Sequence, residues 1–190
     1  MSAVSQDSKL GMSAGAQAQA GAHMNASRYL SVHYRVEAFD PQGNLKWIEE
    51  FDNLVVNVGL DDSLDKHLKG SSYTAAFYVL LTDGTPTVAA ADTMASHAGW
   101  TEVTAYDEAN RPTLTLGSVS GQSVDNSANK AVFTIDTNNT TMGGCGVTTN
   151  NTKGGSTGTL YGAGAFTAGD KTLDDNDVLN VQVTCTAAAA

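Results

Sequence analysis

Between Tyr29 and Phe39 the chain reads YLSVHYRVEAF, with apolar residues on every second position. Leu30, Val32, Tyr34, Val36 and Ala38 share one parity; His33, Arg35 and Glu37 share the other. Successive side chains of a strand point to opposite faces, so this period predicts a strand with one face buried and one wet. A helix would scatter the same residues around its circumference. The segment DPQGN (40–44) follows, with Pro41 to fix φ and Gly43 free to take a positive φ, and LKWIEEF then returns as a second strand. The pair predicts a hairpin.

One segment has the helical period instead. In NVGLDDSLDKHLKG, Leu60, Leu64 and Leu68 recur every four residues as one apolar stripe. Asp61 and Asp62 stand near the start, Lys66 and Lys69 near the end, and Gly70 can stop the helix. A short helix over about 59–69 is expected, with His67 beside the stripe as a half-buried surface histidine.

After Gly70, AAFYVLLT, WTEVTAY, TLTLGSV, AVFTIDT, CGVTT, TLYGAGAF and VLNVQVTCT read as short strands. DGTP, GQSVDNSANK, TNNTT, NTKGGSTG and AGDKTLDDND read as connections. Short strands at this spacing, joined by Gly, Asn and Asp, predict an all-β fold: a β-sandwich, jelly-roll-like, over residues 28–190. No fixed repeat occurs, which disfavours propellers and solenoids. The low charged fraction, 16%, and the 19 glycines fit strands, turns and close backbone approach better than long charged helices.

Residues 1–27 differ. SAGAQAQAGA (13–22) alternates alanine with Gly or Gln, and up to Ser27 the formal charges are Asp7 and Lys9. Such a segment buries too little apolar surface to offset its own ordering entropy, so an extended arm, disordered when alone, is expected. Its small side chains suit a backbone laid flat on a partner and paired with an exposed strand edge. The start of the chain lacks a basic region followed by an apolar one, and no run nears the roughly 18 apolar residues of a membrane span. No secretory route and no membrane partner are therefore expected.

A net charge of −10 repels a phosphate backbone and argues against nucleic acid as partner. Cys145 and Cys185 do not make a disulfide framework; each sits on the apolar side of a strand and reads as a small buried hydrophobe. A bridge between them requires neighbouring strands.

The segment richest in chemistry is DTMASHAGWTEVTAYDEANRPTL (92–114). His97 has Ser96, Asp92 and Glu102 near it in sequence, but no G-x-S-x-G elbow occurs and no second His lies three or four residues away. Trp100 and Tyr106 start and end a predicted strand, and NRPTL leads to the next one after Pro112. Trp100 and Val103 are expected to pack, and His97 to shape the loop. Asp170, Asp174, Asp175 and Asp177 offer hard oxygen ligands but miss the calcium-loop pattern, and read as a solvated turn. GGCG and KGGST lack the spacing of a phosphate loop; Gly143, Gly144 and Gly146 around Cys145 mark a bulge or a place where backbones press together. The N-x-T sequons at Asn139 and Asn150 carry little weight without a secretory route. No catalytic, cofactor-binding or metal residues are assigned, and no enzyme activity or cofactor is expected.

FDNLVVNVGLDDSLDKHLKGSS, AFYVLLTDG, ADTMASHAGWTEVTAYDEANRPT and TKGGSTGTLYGAGAF resemble a family of structural virion proteins of tailed bacteriophages. The resemblance spans about Tyr29 to Thr186, and Asp92 to Pro112 is its most specific block. It implies an all-β domain built into the particle, as a capsid decoration (cement) protein on the outer surface of the major capsid protein lattice. The implied partner is the major capsid protein, the implied state a homo-oligomer (dimer or trimer), and the implied location the virion's capsid surface after assembly in the host cytoplasm. The alternative is a tail or head-fibre adhesin that binds host glycan through an exposed platform of Trp100 and Tyr106.

Overall fold

The computed structural model describes residues 30–72 and 76–187. The expected N-terminal arm, residues 1–27, lies outside them. The fold is an all-β sandwich. Its strands are β1 (Ser31–Phe39), β2 (Leu45–Asp52), β3 (Leu54–Val55), β4 (Tyr78–Thr82), β5 (Glu102–Val103), β6 (Ser123–Asp125), β7 (Ala131–Thr134), β8 (Thr140–Met142), β9 (Gly144–Thr148), β10 (Leu160–Ala165), β11 (Lys171–Leu173) and β12 (Val178–Thr186). The helix α1 covers Asn57–His67.

One antiparallel sheet runs β2-β1-β12-β6, with β7 also paired to β12. The other runs β3-β10-β9-β4-β5, and β8 and β11 form a separate ribbon. The chain crosses from the first sheet to the second between β2 and β3 and returns between β5 and β6. Each of the later crossings, β7 to β9 and β10 to β12, picks up one strand of the ribbon.

The alternation in β1 is realised: Val32, Tyr34, Val36 and Ala38 are buried, and the opposite parity faces out. β12 pairs with β1 over its whole length and supplies Leu179, Val181 and Val183 from the same sheet face. Val79, Leu81, Cys145 and Val147 of the second sheet meet them in one core. Aromatic residues fill its β2 side, with Tyr34 stacked on its cross-strand partner Phe51 at 5.0 Å and Phe166 edge-on to Phe51 and Trp47. The β1–β2 turn is built as read: Gly43 takes a φ of +82°, and the Asp40 carboxylate accepts from Asn44 N, Asn44 Nδ2 and Gln42 N. These bonds, led by that from the Asn44 side chain, hold the Asp40 carboxyl below the usual range.

Glycines set the spacing of the second sheet. A Cβ on Gly144 would lie 1.9 Å from the Gly164 carbonyl oxygen, and one on Gly162 would lie 2.5 Å from the Leu54 carbonyl oxygen. The expected close approach around Cys145 is therefore real, and a pairing irregularity falls nearby between Leu160 and Gly162. Cys145 and Cys185 are free thiols in different sheets, and Cys185 is only partly buried. Burial pushes the Cys185 thiol up to about 11 and the Cys145 thiol further still.

Several expected boundaries are corrected. TLTLGSV forms no strand: it meets β4 through a single bridge, Thr113 to Tyr78, and then leaves the sheet. WTEVTAY contains only the two residues of β5, because Val103 pairs with Leu81 in one sheet and Tyr106 bridges to Ile135 beside the other. A segment that changes sheet cannot keep one ladder. β6 and β11 lie inside GQSVDNSANK and AGDKTLDDND, which read as connections, and β8 starts within TNNTT. Strands of three residues are too short to display a period.

Candidate interaction surface

The segment 92–114 is a wall of the protein. Leu80 and Leu160 point away from the main core and are covered by Met94, Trp100 and Val56, which form a second, smaller hydrophobic cluster. Trp100 is 5% exposed, and its Nε1–H donates to the buried Asp92 carboxylate at 3.1 Å. The same carboxylate oxygen accepts from Ala89 N at 3.0 Å. His97 stacks on the indole at 3.7 Å, and its Nδ1–H donates to the Trp100 carbonyl at 3.0 Å. Both ends of the His97–Trp100 turn are thus closed by their own neighbours. Ser96 N donates to Thr93 Oγ1, so the serine belongs to a local turn.

His97, Ser96 and Asp92 have separate tasks: the histidine faces the indole, and the acid holds the indole N–H and a backbone N–H. Trp100 and Val103 are packed, as expected from the sequence. Tyr106 is fully buried as well, edge-on to Phe133, so the exposed aromatic platform of the adhesin alternative is not formed.

Arg111 is the residue that sequence reasoning missed. It is 1% exposed and forms a two-pronged pair with Glu102, Nε to Oε1 at 2.7 Å and Nη2 to Oε2 at 2.6 Å. Two further donors reach the Asn150 and Gly155 carbonyls at 2.8 and 2.7 Å. Glu102 Oε2 also accepts from Gly154 N. One guanidinium therefore ties β5 to the loop between β9 and β10, with its charge balanced and four of its five N–H donors used. A lone Arg-Pro in a loop carries no sequence signal for this.

The acids of 170–177 are dispersed. Asp170 accepts from Thr85 N and Oγ1, Asp174 from Asn139 N, and Asp177 from Lys46 Nζ and Asp174 N. Asp177 is buried, so the reading of the whole stretch as a solvated turn is corrected at that residue. No group of three or more His, Cys, Asp or Glu placed to hold a metal ion occurs among the described residues.

Sheet edges differ in what they offer. β3 and β5 have two residues each. The edge at β7 is closed by Glu108, which accepts from Thr134 N, and by Asp107 N, which donates to the Thr134 carbonyl. Gly117 N donates to the Asp125 carbonyl of β6. β2, eight residues long, is the longest edge strand, and Thr167 Oγ1 donates to its Glu50 carbonyl. Short or occupied edges resist pairing with other chains, so β2 is the best-suited receptor for an extended strand.

The most unusual surface belongs to α1. The helix rests on β10 through its small and polar side: a Cβ on Gly59 would lie 2.7 Å from the Tyr161 carbonyl oxygen, and the Tyr161 hydroxyl donates to Asp62. Asp62, Ser63 and Lys66 are half-buried. Leu60, Leu64 and Leu68, by contrast, are 40%, 56% and 81% exposed. The stripe points to solvent, the reverse of an ordinary surface helix. The sequence does hold a hint, since a glycine inside a helix costs about 1 kcal/mol against alanine and marks a close approach on its own face. The helix starts two residues earlier than expected, so Asp61 and Asp62 fall after the first turn; Gly70, with φ of +74°, ends it as read.

Searches against protein-family models, curated proteins and solved structures found no match for the chain.

Proposed function

We propose that this chain is a capsid decoration (cement) protein of a tailed bacteriophage, binding the outer surface of the major capsid protein lattice and stabilising the head. The observation that carries the reading is the outward leucine stripe of α1. An apolar ridge on a body of high net charge is the mark of a surface made to be covered by another chain. The resemblance of 29–186 to phage structural proteins supplies the setting. The segment richest in chemistry supports it further, because its histidine, acids and arginine are committed to holding loops. In this setting β2 offers an edge to an extended arm, and weak contacts repeated over a lattice add up.

The test uses purified full-length protein and empty shells assembled from major capsid protein. Co-sedimentation at a fixed ratio to the shell protein, with a rise in shell melting temperature, is the expected result. Removing residues 1–27 is expected to lower that stabilisation. Failure to sediment with shells at any concentration overturns the proposal.

A further inference from the structure

We infer that α1 is a self-association surface: two copies of this chain pair antiparallel through Leu60, Leu64 and Leu68, about a two-fold axis that passes near Leu64. The inference names a second copy as the chain that covers the same stripe on which the proposed function rests, and it is argued from the helix geometry alone.

Three properties of the helix point to a second copy. Residues four apart form one of the natural ridges of a helix, and two such ridges pack into each other's grooves at roughly −50°. A ridge of three leucines centred on Leu64 is its own complement when turned through a two-fold axis, which places Leu60 against the partner's Leu68. The flanking charges follow the same symmetry. The exposed acid Asp61 stands in the N-terminal half and the exposed base Lys69 just past the C-terminal end, whereas Asp62 and Lys66 lie on the side that rests on β10. Antiparallel pairing brings the Asp61 end of each helix to the Lys69 end of the other, whereas parallel pairing sets like charges side by side.

The described body also says what strength to expect. An 11-residue helix offers a contact below the ~1,200 Å² typical of stable complexes, and two bodies that are each strongly acidic repel. The pair is therefore weak and reversible, visible only in concentrated protein or where copies are held close. Asp65 lies on the same flank and is held by Lys69 at 3.1 Å within its own helix, which reduces its repulsion of the facing copy.

Sedimentation equilibrium of the full-length chain from about 10 µM to 1 mM tests this, with far-UV circular dichroism to verify folding of each variant. A monomer–dimer equilibrium is expected. Leu64→Asp should leave the protein folded and monomeric over the whole range. D61K and K69D should each weaken the dimer by about fivefold or more, and the double variant D61K/K69D should restore it, because the exchanged charges still meet across the two-fold axis. A chain that stays monomeric to 1 mM overturns the inference. So does a dimer unaffected by Leu64→Asp, which would place the contact elsewhere. Loss in both single variants without recovery in the double rules out the antiparallel pair and overturns the inference. Shell binding is read in a separate assay, so either result can fail without the other.

Discussion

The loop around Trp100 and the helix α1 lie on neighbouring parts of the second sheet; the loop packs as its sequence leads one to expect, and the helix turns its apolar stripe the other way. The loop has a histidine, an indole and acids in a short span, the kind of mixture found at working sites. Its groups are consumed internally: Asp92 holds the indole N–H, His97 is stacked and bonded to its own turn, and Trp100 seals a cluster with Leu80 and Leu160. The helix has the leucine spacing of an element that packs on a core, yet it packs through Gly59 and Ser63 and shows its leucines to water. Residue type alone therefore does not separate function from support. What separates them is whether the neighbours already satisfy the group.

That contrast can be broken by substitution, beginning where the effect is largest. Arg111→Met leaves Glu102 buried without its counter-charge and frees two carbonyls, and is expected to cost about 3–5 kcal/mol in urea unfolding. Trp100→Ala opens a cavity under the loop and should cost a similar ~3–5 kcal/mol, with a near-UV circular dichroism signal lost at the same site. His97→Ala removes one stacked ring and one turn bond; about 1 kcal/mol is expected, and a larger loss would mean the histidine does more than shape the loop.

A smaller effect is expected from pH. Lys130 foremost, with Arg35, holds the Glu37 carboxyl below its usual value. A depressed folded value means the unfolded chain takes up the proton first as pH falls. The stabilisation is therefore complete above the ordinary glutamate range and is lost on acidification through the lower, folded value. Glu37→Gln should flatten that part of a thermal-stability profile between about pH 5 and pH 3 while leaving a constant offset above it. At the other end of the comparison, Leu64→Ala should change the stability of the isolated monomer by less than about 0.5 kcal/mol, since an exposed side chain contributes little to the fold. A loss near that of Trp100→Ala would show that the stripe is covered within the single chain.

The sandwich was legible because two of its longest strands, β1 and β12, carry clean alternation. β1, β2 and β12 stand close to where YLSVHYRVEAF, LKWIEEF and VLNVQVTCT place them. The turn at Gly43 and the helix stop at Gly70 were legible for a local reason, since a positive φ favours glycine whatever lies nearby. The surface was not legible. Helical periodicity locates a stripe but not the side on which the sheet lies, and that side was decided by the contact of Gly59 with Tyr161, a hundred residues away. Arg111 escaped for the same reason, because its partners Glu102, Asn150 and Gly155 converge only in three dimensions.

The pairing of β1 with β12 joins Ser31 to Thr186 and Phe39 to Val178. During synthesis β1 must therefore wait, one hydrogen-bonding side bare, until residues 178–186 have left the ribosome. Folding of this sheet is consequently a late event, slowed by the long loop between Phe39 and Val178 that it must close. Chains cut before Val178 would keep that side of β1 open and be drawn to aggregation.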